Sequence, residues 1–266
     1  MCLLIVLKNP VPGIALAIAH NRDEYSERAF SPMAMHRNNI FCGLDQTAGG
    51  TWLGFQANQT WAAVLNIRTK VQTPNVTNTR GALPIRCLKD PNFFNKIDAE
   101  HSSFKPFTVL GGSRHREIKL YSSLNRRYES IKVADYFCIS NNAFGTEWKK
   151  ASRVSESLKL EKPKSAQQLK DLLTKMMKSR EQLDKNNLPV TGYDISIEQE
   201  LSSNFVQIRN YQTVLTTIAF MHDSGITEIF EKNHITLQEV KHELSPQAST
   251  STCQPIKLSC VCRKRI

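Results

Sequence analysis

The sequence predicts an α+β protein built on antiparallel sheets, and three observations predict it. Apolar runs of strand length recur through the first 140 residues and return after residue 205, joined by short turn signals. A helical period of three to four appears only between these blocks, from residue 148. Nowhere do strands and helices alternate as a parallel βαβ sheet would need, so hairpin-built layers are favoured.

The first two strands are residues 2–7 and 14–19. Their linker, Lys8-Asn9-Pro10-Val11-Pro12-Gly13, holds two prolines and a glycine, a turn signal that lets the strands pair as a hairpin. That pairing brings Cys2 near Asn21-Arg22-Asp23-Glu24, a polar tetrapeptide that reads as a strand-end turn. Residues 28–32 read as a loop, 33–39 carry no clear period, and 40–43 make a short strand. Gly49-Gly50 marks a tight turn or a close backbone approach. Strands at 52–55 and 61–65 flank the turn at 57–60, and the second ends in Asn66-Ile67-Arg68. Residues 69–79 form a loop and residues 80–88 open a helix. Further strands fall at 107–112, 117–121 and 136–142.

From Trp148 the pattern changes. Trp148, Ala151, Val154 and Leu158 share one helical face. Ser165-Ala166-Gln167-Gln168 is a capping box, followed by the stripe Leu169, Leu172, Leu173, Met176 and Met177, which reads as core. The helical part ends over 188–192. Strands return at 205–209, 213–221 and 226–230, the last two joined by His222-Asp223-Ser224-Gly225. One domain over 1–244 is expected, with a disordered basic tail over 245–266.

The totals exclude several classes. No run of 18 apolar residues occurs, so no helix is expected to span a membrane. No basic n-region precedes the first apolar stretch, so no secretory signal is expected. Seven cysteines in no framework spacing then read as reduced thiols of a cytoplasmic protein. The net charge is +11, of which +4 lies in the tail (Lys257, Arg263, Lys264, Arg265, no acid) and 11 − 4 = +7 in the rest. Its scatter supports attraction to acidic ligands, with no specific nucleic-acid site and at most peripheral membrane contact. Cys260-Val261-Cys262 lacks zinc-knuckle spacing, and no phosphate-binding glycine motif occurs.

Cys2 follows the initiator methionine directly. Were Met1 removed, Cys2 would present a thiol beside an α-amine whose ordinary pKa is about 7.7–8.0, a usable base at neutral pH. That pairing is the chemistry of an N-terminal nucleophile hydrolase. Arg22 would lower the thiol's pKa or hold a developing charge, Asp23 would orient the amine, and Asn66 or Asn141 would donate to an oxyanion. On the residues alone the plainer alternative stands beside it: a small residue that opens a strand. His20, next to Asn21, is a second candidate functional group.

Met1-Cys2, Asn21-Arg22-Asp23-Glu24, Gly49-Gly50-Thr51-Trp52-Leu53-Gly54, Asn66-Ile67-Arg68, Thr79-Arg80-Gly81 and Ser140-Asn141-Asn142 together resemble the NRDE family, that of transport and Golgi organisation protein 2. The resemblance covers roughly residues 1–235 and looks like the compact, bacterial-type branch. It implies a four-layer αββα fold like that of N-terminal nucleophile hydrolases. It also implies haem binding and haem trafficking, with haem held transiently and non-covalently and passed to or from haem-accepting or haem-synthesising proteins. His20, Asn21, Arg22 and Arg68 would contact the haem, the arginines pairing with its propionates. The alternative is a Cys2-dependent amidohydrolase or thioesterase acting on an acyl or lipid-type substrate; a third reading is a scaffold. The chain departs from the family pattern Tyr-Gly-Thr-Arg-Ser-Ser-Thr, reading Tyr211-Gln212-Thr213-Val214-Leu215-Thr216-Thr217, without the glycine and the arginine. His20 stands where alanine is common.

Overall fold

The structure, a computed structural model, describes residues 2–36, 38–70, 76–114, 117–132 and 135–246. Met1, the Cys260-Val261-Cys262 pair and the tail expected to be disordered lie outside the described residues, the tail from residue 247 on. In chain order the described strands are β1 (Cys2–Val11), β2 (Ile14–Tyr25), β3 (Phe30–His36), β4 (Ile40–Asp45), β5 (Leu53–Phe55), β6 (Thr60–Asn66), β7 (Phe107–Ser113), β8 (Ile118–Ser122), β9 (Arg127–Ile131), β10 (Tyr136–Ile139), β11 (Gln207–Ile208), β12 (Tyr211–His222), β13 (Thr227–Asn233) and β14 (Glu239–Leu244). The helices are α1 (Ala82–Lys89), α2 (Phe93–Glu100), α3 (Lys149–Leu160), α4 (Ala166–Met177) and α5 (Ile195–Glu200). The class is α+β, as expected, and every described strand pair is antiparallel.

The chain divides into two compact units. The first joins Met1–Glu27, Arg68–Lys70 and Val133–Ser245. Its sheet runs β10-β1-β2-β12-β13-β14, with β11 paired to β12. Leu3, Ile5 and Leu7 of β1, Ala17 and Ala19 of β2, and Ile218 and Phe220 of β12 turn to one face. Val154 of α3 and Leu169, Leu173, Met176 and Met177 of α4 cover it. Each such Leu, Ile, Val, Met or Phe side chain contributes about 1.5–3 kcal/mol on burial. The residues between them, Leu4, Val6 and Ile18, are buried too, which is why these strands read as unbroken apolar runs. The capping box forms with one shift: Ser165 accepts from the Gln168 backbone N–H at 3.2 Å, while the Gln168 side chain reaches the N–H of Lys164 rather than Ser165.

The second unit contains Arg28–Ile67 and Val71–Lys132, and its sheet is a meander from β3 to β9 in sequence order. Leu83 of α1 and Phe93 and Ile97 of α2 pack with Val64, Phe107, Val109 and Tyr121 on one face of it. Gly49 and Gly50 both have positive φ, and a Cβ on Gly50 would lie 2.2 Å from the Gly81 carbonyl carbon. The Gly-Gly-Thr-Trp and Thr-Arg-Gly motifs are therefore two halves of one backbone crossing, closed by Thr51 N–H donating to Gly81 O at 2.8 Å.

Three expectations are corrected. Asn21-Arg22-Asp23-Glu24 is strand, not turn: β12 pairs along it, Thr213 opposite Asp23 and Gln212 opposite Glu24, so the ladder satisfies its backbone. Residues 30–36, read as loop and aperiodic chain, form β3, whose register shifts between Ser31 and Ala34 where Pro32 cannot donate. The helical part does not end over 188–192, because α5 follows.

Candidate active site

The site lies in the first unit, at the end of the β1–β2 hairpin. Register places Cys2 directly opposite Arg22, and Leu3 opposite Asn21. Asn141, just past β10, accepts a hydrogen bond from the Cys2 backbone nitrogen on Oδ1 at 3.1 Å. Ser140 Oγ donates to the Cys2 carbonyl at 2.9 Å. The first residue of β1 is thus held on both sides by the Ser140-Asn141 pair, 139 positions away in sequence for Asn141. Burial pushes the Cys2 thiol above its ordinary pKa, and the Asp23 charge adds to this. The Asp23 backbone hydrogen bond and Arg22 act the other way without reversing it. The resting group is a neutral thiol.

Asp23 is buried, and burial raises its pKa; Lys150, a hydrogen bond from Thr213 and Arg68 oppose the rise. Thr213 Oγ1 donates to Asp23 Oδ1 at 2.6 Å and accepts from Val206 N–H at 2.9 Å, so its hydroxyl direction is fixed. Tyr211 OH donates to the Asp23 carbonyl at 2.9 Å. Arg68 is also buried: its guanidinium meets Glu198 at 2.7 Å and lies 4.9 Å from the Trp148 ring centroid, and its backbone N–H donates to Asn141 O at 2.7 Å. Burial lowers its pKa and Glu198 opposes that. Glu198 also accepts from Thr191 Oγ1.

The sequence-derived residues therefore fall into groups. Cys2, Arg22, Asp23 and Asn141 share this corner, with Arg68 tied to it through Asn141. Asn21 has another task. Its Nδ2 donates to Met177 O at 2.9 Å and Asn204 O at 2.8 Å, and its Oδ1 accepts from Thr216 at 2.7 Å, so the amide ties the sheet to the end of α4. His20 is fully buried opposite Leu4 and Thr217, and burial lowers its pKa to about 3, so the ring is neutral. Asn66 ends β6, in the second unit.

Four residues of the corner escaped the sequence reading: Thr213, Tyr211, Glu198 and Lys150. The first two stand in the motif that departs from the family pattern, which was a usable signal. Nothing in the local sequence marks Glu198 or Lys150. The described cysteines Cys2, Cys42, Cys87 and Cys138 are all thiols, and no group of three or more metal-ligating side chains occurs among the described residues. No helix among them is long and apolar enough to cross a membrane.

Comparison with known proteins gives one family. A family model described as Transport and Golgi organisation 2 matches residues 1–236. Among curated proteins none matches. Among solved structures the chain is similar to the C2A mutant of the conjugated bile acid hydrolase from Clostridium perfringens, at 9% identity over 92% of each chain and a TM-score of 0.47. It is similar to penicillin V acylase from Agrobacterium tumefaciens at 10% identity, over 92% of this chain and 86% of that one, with a TM-score of 0.47. The Caenorhabditis elegans ortholog of N-acylethanolamine-hydrolyzing acid amidase follows at 13% identity, over 82% and 92%, with a TM-score of 0.40.

Proposed function

The chain belongs to the Transport and Golgi organisation 2 family, and on that premise we propose that it is a hydrolase of acyl amides or thioesters, with Cys2 as its N-terminal nucleophile. One observation carries the reading: Asn141 Oδ1 accepts from the Cys2 nitrogen at 3.1 Å, within a corner that also holds Arg22 and Asp23. Removal of Met1 would turn that nitrogen into an α-amine already oriented by a fixed acceptor.

The chemistry then runs through this chain's own groups. The thiol is neutral at rest, so its proton must leave as the bond to carbon forms. The α-amine takes that proton, Cys2 Sγ attacks the substrate carbonyl, and the C=O electron pair becomes an oxyanion. Arg22, opposite Cys2 in the ladder, and the Asn141 amide, whose oxygen the Cys2 nitrogen reaches, would stabilise that charge. Collapse expels the amine or thiol, which leaves with the proton, and Cys2 is acylated. Water attacks the thioester, the α-amine again shuttles the proton, and the carboxylic acid departs with the thiol restored. Asp23, its Oδ1 held by the Thr213 hydroxyl, is the acid of the same corner that would orient the amine.

The test is intact mass together with turnover of an acyl p-nitroanilide and an acyl thioester. The expected result is loss of Met1, measurable turnover, and its disappearance in Cys2→Ala. Unchanged turnover in Cys2→Ala, or in a variant that retains Met1, overturns the reading.

Haem carriage is the second reading, brought by the family resemblance. As placed, its residues do not make a haem seat: His20 is fully buried, the Asn21 amide is committed, and Arg22 and Arg68 are buried, the latter against Glu198. A Soret titration on the same sample tests it: a saturable spectral change that His20→Ala abolishes would favour carriage over hydrolysis.

A further inference from the structure

α4 lays its stripe Leu169, Leu173, Met176 and Met177 on β1, β2 and β12, and the sheet continues past it through β13 to β14. A cleft of about 390 Å³ opens there, between the flank of α4 and the last three strands. That volume lies within the range of small-molecule sites, roughly 300–1,000 Å³. All of its lining belongs to the first unit.

The walls follow from periodicity. Lys170, Thr174 and Lys178 stand four residues apart and form one line along the helix flank. Lys170 is half-buried, and its Nζ lies 4.0 Å from the centroid of the Phe230 ring rather than against a carboxylate. On the sheet Ile218 pairs with Phe230, so these two make an apolar floor. The other cations of the cleft are committed. Lys232 Nζ meets Glu239 at 3.1 Å and donates to Leu237 O at 2.7 Å, and Lys241 pairs with Glu228. Asp171 accepts from Gln167 Nε2 at 2.8 Å, and Glu231, between Phe230 and Lys232, turns its side chain to the opposite face. Lys170 and Lys178 have no carboxylate within 4 Å among the described residues.

A neutral pair stiffens the wall behind them. Thr216 Oγ1 donates to Asn21 Oδ1 at 2.7 Å, and so accepts from His234 Nε2–H at 2.8 Å. Burial lowers the His234 pKa to about 4, with Lys232 and Lys178 adding to this, so the ring brings no charge. Alternation along β2 turns Asn21 to the face opposite that of Arg22, whose ladder partner is Cys2. The cleft is therefore a place apart from the Cys2 corner.

We propose that this cleft is a second ligand site, for a phosphate monoester with a compact apolar or aromatic body. The phosphate lies between Lys170 and Lys178, and the body lies against Phe230 and Ile218. A monoester carries about −1.5 to −2 charge at neutral pH, which two ammoniums match. The Cα atoms of the two lysines stand roughly 12 Å apart along the helix, within reach of one phosphate for two extended side chains. The lining holds no arginine fork for a planar carboxylate, and lysine binds phosphate as a point charge. The inference does not rest on the hydrolase reading.

The experiment is isothermal titration calorimetry on the full chain with phenyl phosphate, inorganic phosphate and benzyl alcohol. Phenyl phosphate should saturate a single site and bind about tenfold or more tightly than either fragment. Lys170→Met and Lys178→Met should each weaken it about tenfold. Lys175→Met removes the same charge from an exposed position of the same helix outside the cleft, and should change affinity by less than about twofold. Cys2→Ala should bind as wild type does, whatever its turnover. Absence of saturable binding, equal affinity for phenyl and inorganic phosphate, or an equal loss in Lys175→Met and Lys170→Met overturns the proposal. Phosphatidylcholine vesicles with and without phosphatidic acid form a second arm. Sedimentation of wild type but not Lys170→Met with the acidic vesicles, without binding of phenyl phosphate, would assign the lysines to a lipid headgroup and overturn the soluble ligand.

Discussion

At the scale of single residues, His20 shows how a buried group without a stated function sets a measurable property. Neither ring nitrogen has a hydrogen-bond partner among the described residues, and burial depresses its pKa from 6.5 to about 3. The unfolded chain therefore binds a proton near pH 6.5 that the native chain refuses until near pH 3. Stability is complete above that window and is lost as pH falls through it, by roughly 3 kcal/mol at pH 4. His20→Leu, which keeps the site apolar, should flatten the acid limb of a melting-temperature profile between pH 6.5 and 4. An unchanged limb would mean that His20 is charged, or solvated, in the native state. The same scale shows what sequence could tell about the site. Cys2, Arg22 and Asp23 were legible because a hairpin turn fixes their meeting within 25 residues. Lys150 and Glu198 were not, because they reach the corner only through the packing of α3 and α5, which no local spacing encodes.

At the scale of elements, legibility followed burial pattern. β1, β2 and β12 are buried on both faces and appear as plain apolar runs. β14, with the burial alternation of an edge strand and four charged or histidine side chains in six residues, was missed, as was the short helix α2. β3 was hidden by its proline. The glycine pair, read as a turn or a close approach, is both, and this gives a prediction. Gly50 combines φ +80° with a Cβ direction blocked by Gly81 backbone, whereas Gly13, with φ +83°, opens into space. Gly50→Ala must move main chain as well as strain its own φ, and should destabilise by about 3 kcal/mol or more, while Gly13→Ala should cost only about 1 kcal/mol from left-handed strain. Urea unfolding of the two variants side by side measures this. Equal losses would show that the crossing at Gly50 relaxes freely.

At the scale of the whole molecule, charge rather than fold carries the remaining inference about substrates. A net charge of +11 on 266 residues is a long-range field, and it draws anions whatever the details of the site. Specific nucleic-acid binding would need that charge gathered along one groove or helix, and the Lys and Arg residues are dispersed along the sequence. A small acyl substrate bearing a carboxylate or phosphate needs no such pattern, because steering depends on net charge and on the screening length. That length shrinks from roughly 30 Å at 0.01 M salt to about 8 Å at 0.15 M. Turnover under kcat/KM conditions should therefore fall several-fold from low to physiological salt for an anionic acyl substrate, and stay nearly constant for a neutral one of equal length. Truncation after Pro246 takes the net charge from +11 to +7, and should shallow the salt dependence of the anionic substrate while leaving the neutral one unaffected. Parallel salt curves for both substrates would show that charge plays no part in substrate capture, and selection would then rest on the acyl chain alone.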